Sequence, residues 1–302
     1  MSVMQSRSMA PIGISAYARL HHLMETITAL QKNQLSGESM LYIFSDGAKP
    51  GDEEKVREVR EYLKTVTGFR KISVIERAAN NRVYNNRSGM RQLLEEYGSL
   101  IWLEEDIVTA PAFLTYMNQA LTKYRDNPQV MSITGWCPPI TIPSDYGYDA
   151  FFLRRFNAWG FGLWKDRFGE ILMDTRTECQ KLVRDSRAVK EFSRFGEDML
   201  RLVKLDAAGK IDALDVKAML TQYINGKYTV YPVGSLVRNI GFDGSGMHCK
   251  KTSRFDSELA VRDGQRTLPQ SVFEDQRIIE AHRGFRSDGI LTRVRRRLSF
   301  AR

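Results

Sequence analysis

The sequence predicts an α/β protein built around a doubly wound sheet. Two observations carry this expectation. Short apolar runs that read as strands alternate with amphipathic stretches that read as helices. Several runs are continuously apolar, which is the pattern of strands buried on both faces. Strands are expected at 12–17, 40–44, 72–75, 100–103 and 130–133. The first is followed by Leu20, Leu23, Met24, Ile27 and Leu30 at helical spacing. The second stops at the turn signal Asp46-Gly47, and a charged amphipathic helix follows over 53–66. Helices are also expected over 87–97 and over 111–124, the latter opened by Pro111 in its first turn.

After Gly135 the texture changes. Pro138, Pro139 and Pro143 mark an extended loop, and aromatics and glycines cluster over 151–164. Helical patterns continue to about 223, a strand is expected at 228–231, and a glycine-rich run covers 241–246. Residues 1–135 and 136–280 therefore read as two halves sharing one continuous sheet, followed by a basic tail over 281–302.

The chain has 302 residues, of which 42% are hydrophobic, enough for a sizeable core. Its net charge of +9 suits a polyanionic partner: nucleic acid, acidic lipid or a phosphorylated small molecule. Much of the excess sits at the end, in Arg283, Arg286, Arg293, Arg295, Arg296, Arg297 and Arg302. Nucleic-acid binders interleave basic and aromatic residues along a surface element. The arginines concentrated in one tail argue against that class. Leu291, Val294 and Leu298 would share one face of a helix among those arginines, the pattern of a short segment lying on an anionic membrane. A disordered terminus or a docking segment fits the same residues. No run approaches the roughly 20 apolar residues that span a bilayer. Cys137, Cys179 and Cys249 show neither zinc spacing nor a disulfide framework. These features lead to the expectation of a cytoplasmic protein that meets a membrane, if at all, from its surface.

Glu104-Glu105-Asp106 is the strongest local signal. Open α/β sheets bind ligands at the carboxyl ends of their strands, and the triplet directly follows an apolar run. Three adjacent carboxylates repel one another, so a compensating charge is expected. A divalent cation, manganese or magnesium, would supply it and bridge to a diphosphate. A solvated acidic turn capping the next helix is the alternative. Asp46 ends another buried strand, and Arg19, Arg87 and Arg91 lie near element ends, where arginines hold phosphates. Each of these residues also has an ordinary reading, as a turn or as a solvated helix face. The run 241–248 combines glycines with the Ser245 hydroxyl and the His248 imidazole, and is expected to order over a diphosphate. Trp164 reads as core and Trp159 as a pocket wall.

Taken together, Leu41-Tyr42-Ile43-Phe44-Ser45-Asp46-Gly47, Trp102-Leu103-Glu104-Glu105-Asp106-Ile107-Val108 and the segment from Asn239 to Cys249 resemble bacterial GT-A glycosyltransferases related to the N-acetylglucosaminyltransferase I family. The resemblance runs from about Pro11 to Cys249. It implies an α/β fold with a mixed GT-A sheet flanked by helices and a C-terminal helical, basic extension. Residues 1–135 would then bind the nucleotide sugar, and 136–280 the acceptor. It implies that Asp106 binds the metal, that Glu104 and Glu105 contact ribose and metal-bound water, that Asp46 reads the base and that Arg19 lies near the diphosphate. The family commonly has Glu-Asp-Asp where this chain has Glu105 in the middle. The stretch from Asn157 to Trp164 matches the lining of the sugar and acceptor pocket. Counting back from Pro232, Asp215 matches the catalytic aspartate, with Leu214 where the family has tryptophan. Asp212 and the Glu197-Asp198 pair compete for that role. The implied activity is transfer of a hexosyl or N-acetylhexosaminyl group, with inversion, from a nucleotide diphosphate-sugar to a glycan or lipid-linked glycan acceptor in surface polysaccharide synthesis. A sugar-nucleotide pyrophosphorylase is the rival enzyme. Such enzymes carry a glycine-rich basic loop after the first strand, where this chain has Tyr17-Ala18-Arg19-Leu20-His21.

Overall fold

The computed structural model describes residues 9–245, 251–261 and 264–287. The expectations for His248, Cys249 and the arginines from 293 onward lie outside the described residues. The apolar runs form β1 (Ile12–Ala16), β2 (Met40–Ser45), β3 (Lys71–Glu76), β4 (Ser99–Glu104), β6 (Val130–Thr134) and β9 (Tyr228–Pro232). Three strands the sequence did not separate from loops complete the picture: β5 (Ile107–Thr109), β7 (Ala150–Leu153) and β10 (Val237–Asn239). A fourth, β8 (Phe161–Trp164), takes up the end of the aromatic-glycine stretch. The main sheet has eight strands in the order β3-β2-β1-β4-β8-β6-β9-β7, so both halves of the chain share it. Strands β1 to β4 are parallel. β8 runs antiparallel between β4 and β6, and β7 runs antiparallel to β9. The sheet is therefore mixed.

Helices pack on it because their apolar residues recur on one face. In α1 (Leu20–Gln31) Leu23, Ile27 and Leu30 are buried, and in α2 (Glu53–Leu63) Val56, Val59 and Leu63. Helix α3 (Arg82–Tyr97) starts a turn earlier than the periodicity suggests. Asn81 caps it by accepting from Tyr84 N at 3.0 Å, and Asn85 in its first turn donates to the Phe44 carbonyl at 2.8 Å. Tertiary bonds thus hold in helix an asparagine-rich turn of low intrinsic propensity. Helix α4 (Phe113–Lys123) begins after Pro111, which sits in the preceding turn rather than in the helix.

Beyond β8 come α5 (Lys165–Gly169), α6 (Arg176–Arg184), α7 (Ser186–Phe192), α8 (Asp198–Ala207) and α9 (Leu214–Ile224). Helix α10 (Gln276–Arg286) crosses residue 281, where the sequence suggested the start of a tail, and buries Ile278, Ile279 and His282. Arg283 and Arg286 belong to it. Trp164 is buried as expected. Cys137 and Cys179 are buried free thiols. No helix of the described residues is long and apolar enough to cross a membrane.

Just before the acidic turn, Trp102 of β4 lies in a slot that two glycines leave open. A Cβ on Gly13 would stand 2.4 Å from Trp102 Cε3, and one on Gly89 would stand 2.9 Å from Trp102 Cη2. Phe44 stacks on the indole at 5.5 Å. Gly13→Ala should therefore push the indole out of register and destabilise the chain by about 1–3 kcal/mol. Denaturant unfolding followed by tryptophan fluorescence checks this. An unchanged midpoint and spectrum would contradict the slot.

Candidate functional site

Parallel pairing aligns the carboxyl ends of β1, β2 and β4. Ser15 lies beside Glu104, and Ala16 beside Ser45. Arg19, Asp46 and the acidic triplet therefore share one edge of the sheet. Glu105 and Asp106 are almost fully buried there. Arg19 compensates both: its Nε donates to Glu105 Oε1 at 2.7 Å and its Nη2 to Asp106 Oδ2 at 2.8 Å. The Tyr17 amide takes the second Glu105 oxygen at 2.5 Å. Burial works against the charge on Arg19, but Asp106 and Glu105 override it and hold the guanidinium charged.

The turn is clamped from two sides. Thr26 of α1 donates its hydroxyl to the Glu105 carbonyl at 2.9 Å. On the other side β10 pairs with β5, and Ile240 N donates to the Asp106 carbonyl at 2.9 Å. The chain then passes so close that a Cβ on Gly241 would lie 2.0 Å from Asp106 Oδ2. A glycine is required at this crossing.

Three of the four carboxylate oxygens of Glu105 and Asp106 thus have donors within the protein. The fourth, Asp106 Oδ1, is buried and has no partner among the described residues. No cluster of three or more His, Cys, Asp or Glu side chains able to hold a metal forms among those residues. This one unpartnered oxygen offers a hard divalent cation a single protein ligand, so such an ion would have to draw its remaining ligands from outside the protein.

Glu104 turns away from this pair. It lines a cavity of about 280 Å³ together with Arg82, Asn86 and Arg87 of α3, Trp159 from the loop before β8, and Asp215 at the start of α9. Arg87, Glu104, Trp159 and Asp215, and with them the competing acid Asp212, come together here. Burial, with Asp106 nearby, pushes the Glu104 carboxyl up to about 7, against the pull of Arg82. Asp215 keeps an exposed side chain at the cavity, yet the protein packed around it disfavours its charged form, and that desolvation raises its carboxyl too. The two competing acids are held ionised. Burial favours the neutral form of Asp198, but the Arg155 guanidinium, donating to it at 2.9 and 2.7 Å, keeps its pKa at about 2. Asp212 likewise resists its partial burial through Lys217 and Arg87 and stays below the usual carboxylate range. Asp215 alone of the three combines access to the cavity with a raised pKa.

Other expected residues lie elsewhere. Asp46 does not line the cavity. Its carboxylate accepts from Gly47 N, Asn80 Nδ2 and Asn81 N, each at 3.0 Å, bracing its turn against the start of α3. Ser245 donates its hydroxyl to Asp243 at 2.6 Å. Arg87 donates to Asp212. Two polar residues that the sequence did not single out face the cavity: Asn86, whose Oδ1 is buried without a partner among the described residues, and Arg82, whose charge acts on Glu104 and Asp215. Both sit in the first turns of α3, the part of the helix that periodicity missed. A wider depression of about 450 Å³ between α2 and β3 holds none of the expected residues. Its charges are paired, Arg60 with Glu76 at 3.3 Å and Lys64 with Glu61 at 2.7 Å.

No known family profile matches the chain. No curated protein matches it either. Among solved structures it is similar to S. aureus TarS, at 9% identity and a TM-score of 0.44, over 78% of this chain and 37% of that one. It is also similar to residues 1–349 of TarS in complex with UDP, at 10% identity, a TM-score of 0.42, and 76% and 59% coverage. A third is the mannosyltransferase PcManGT from Pyrobaculum calidifontis in complex with GDP-Man and Mn2+, at 10% identity, a TM-score of 0.36, and 73% and 74% coverage. The chain spans less than two thirds of the length of both TarS structures.

The raised Glu104 carboxyl has a consequence for stability. A carboxyl at about 7 in the folded chain against 4.5 otherwise binds its proton more tightly when folded. Its contribution is full below pH 4.5 and is lost as pH rises through about 7. Glu104→Gln, which cannot ionise, should flatten the fall in melting temperature between those pH values. Superimposable wild-type and variant profiles would contradict the assignment.

Proposed function

We propose that the cavity is the transfer site of a GT-A type glycosyltransferase, which moves a sugar from a nucleotide diphosphate carrier onto an acceptor hydroxyl. One observation carries the reading. A carboxylate of raised basicity, Asp215, faces a cavity walled by an indole, Trp159, and by Glu104, the first acid of the turn in which the buried Asp106 Oδ1 has no partner among the described residues.

In this reading Asp215 accepts the proton of the acceptor hydroxyl as that oxygen attacks the anomeric carbon. The bond from that carbon to the diphosphate oxygen breaks, and the nucleoside diphosphate leaves with the electron pair. Base and leaving group lie on opposite faces of the sugar, so the anomeric configuration inverts. Trp159 offers the apolar ring face that sugars stack on. Glu104 accepts from sugar or ribose hydroxyls. Arg82 lines the cavity beside Glu104 and provides positive charge for the donor's phosphates. Asp106 would hold a divalent cation, manganese or magnesium, whose chemistry is to neutralise the departing diphosphate. A hexosyl or N-acetylhexosaminyl donor, and an acceptor glycan on the cytoplasmic face of a membrane in surface polysaccharide synthesis, complete the reading.

Asp215→Asn should lower transfer by about 10²-fold or more while nucleotide binding is kept. Asp198→Asn should act mainly on stability, because it leaves the buried Arg155 without its partner. Product formation from a panel of nucleotide sugars, alongside nucleotide affinity by calorimetry, checks both. Full transfer by Asp215→Asn would remove it as the base.

A further inference from the structure

We infer that Arg87 is a positioning residue: it grips Asp212, and through it the start of α9 that carries Asp215, instead of binding a phosphate of the donor. The inference rests on the transfer reading above for the role of Asp215. The grip itself stands on contacts alone.

Arg87 projects from the second turn of α3 and donates its Nη2 to Asp212 Oδ1, which belongs to the connection between α8 and α9. Asp212 is shared: Lys217 Nζ lies 2.9 Å from the same oxygen. Lys217 stands two residues past Asp215, is buried, and also reaches Asp206 Oδ1 at 2.5 Å. Asp206, buried near the end of α8, accepts in addition from Thr175 Oγ1 at 2.7 Å and from the Ala213 amide at 3.3 Å. The backbone that carries Asp215 is therefore anchored on both sides, at Ala213 before it and at Lys217 after it, both through Asp206. Asp212 ties that anchored segment to α3.

The charges explain why Arg87 belongs to this chain of contacts. Asp206 and Asp212 carry two negative charges, and Lys217 and Arg87 match them. Without Arg87, the single ammonium of Lys217 would serve two carboxylates. A guanidinium already matched in this way offers little field to a phosphate. Arg82, one turn earlier and facing the same cavity, forms no such ion pair among the described residues; its charge acts on Glu104 and Asp215 at the cavity wall. The link also spans the two halves of the chain, with α3 in the first and Asp212 in the second, across the cavity where the acceptor oxygen must meet its base. Catalysis is sensitive to displacement of such a base by about 1 Å.

The test compares Arg87→Gln, Asp212→Asn, the double variant and the exchange Arg87→Asp with Asp212→Arg. Three readouts are taken on the full chain: melting temperature, affinity for UDP and GDP with Mn2+ by calorimetry, and kcat and KM for transfer. Each single variant should lower kcat about ten- to a hundredfold with nucleotide affinity within about twofold. The double variant should be no worse than either single one, in kcat and in melting temperature, because both remove the same contact. The exchange should recover part of the loss. An Arg87→Gln variant that loses about tenfold or more in nucleotide affinity while Asp212→Asn does not would overturn the inference in favour of a phosphate-binding arginine. So would losses in melting temperature that simply add in the double variant. A wild-type chain that binds neither nucleotide and transfers nothing would sink the transfer reading. In that event the additivity of the melting temperatures still decides whether Arg87 grips Asp212.

Discussion

Three consecutive carboxylates at the end of a buried strand are the constraint on which the rest of the site depends. Two like charges about 4 Å apart repel by about 4 kcal/mol at the effective dielectric of a protein surface, and by more when buried. The chain answers with a single arginine. Arg19, leaving β1 just before α1, reaches both Glu105 and Asp106. Breaking a buried pair by removing one partner costs about 3–5 kcal/mol, so the contact holds the first crossover to the end of β4. The Tyr17 amide and the Thr26 hydroxyl add hydrogen bonds from the same crossover. What Arg19 leaves open is one oxygen of Asp106, and what it leaves unneutralised is Glu104.

That division sorts the acids of the region by the company they keep. Asp198 faces Arg155, and Asp212 faces Arg87 and Lys217, so both remain ionised and structural. Glu104 and Asp215 face the cavity, where desolvation raises their carboxyls, against the pull of Arg82 at Glu104 and of the Val216 amide and Arg155 at Asp215. Basicity above the usual range, at an open wall, is what proton transfer at neutral pH requires.

Much of the fold was legible because buried parallel strands write continuous apolar runs. β1, β2, β4 and β6 each appear within a residue or two of where such runs lie. The sense of β8 was not legible: nothing in Phe161-Gly162-Leu163-Trp164 tells a parallel from an antiparallel neighbour, since both demand the same buried residues. β5 and β10 are three residues each and take their strand character from one another, 128 residues apart at Thr109 and Val237. The start of α3 was hidden by Asn85 and Asn86, poor helix formers, of which Asn85 is held by a tertiary bond to the Phe44 carbonyl. For the site, the strand-end rule led to the acidic turn, and the family resemblance, counted back from Pro232, led to Asp215, with Asp212 and the Glu197-Asp198 pair as competitors. Separating Asp215 from Asp198 and Asp212 needed their partners, and Arg155, Arg87 and Lys217 are neighbours in space that no local pattern announces. The ordinary reading of Asp46, as a turn residue, agrees with its contacts to Gly47, Asn80 and Asn81.

The central claim is that the edge formed by Arg19, Asp106 and the Glu104–Asp215 cavity receives a nucleoside diphosphate. Thermal melting of the intact chain with UDP, GDP, ADP and dTDP, each with and without Mn2+, tests it most directly. A ligand at a hundred times its Kd stabilises a fold by about 2.7 kcal/mol, which in a chain of this size raises the melting temperature by about 5 °C. A rise of that order is expected with at least one of the four, larger with the cation than without. Four flat profiles at saturating concentrations, with the fold intact, would contradict it.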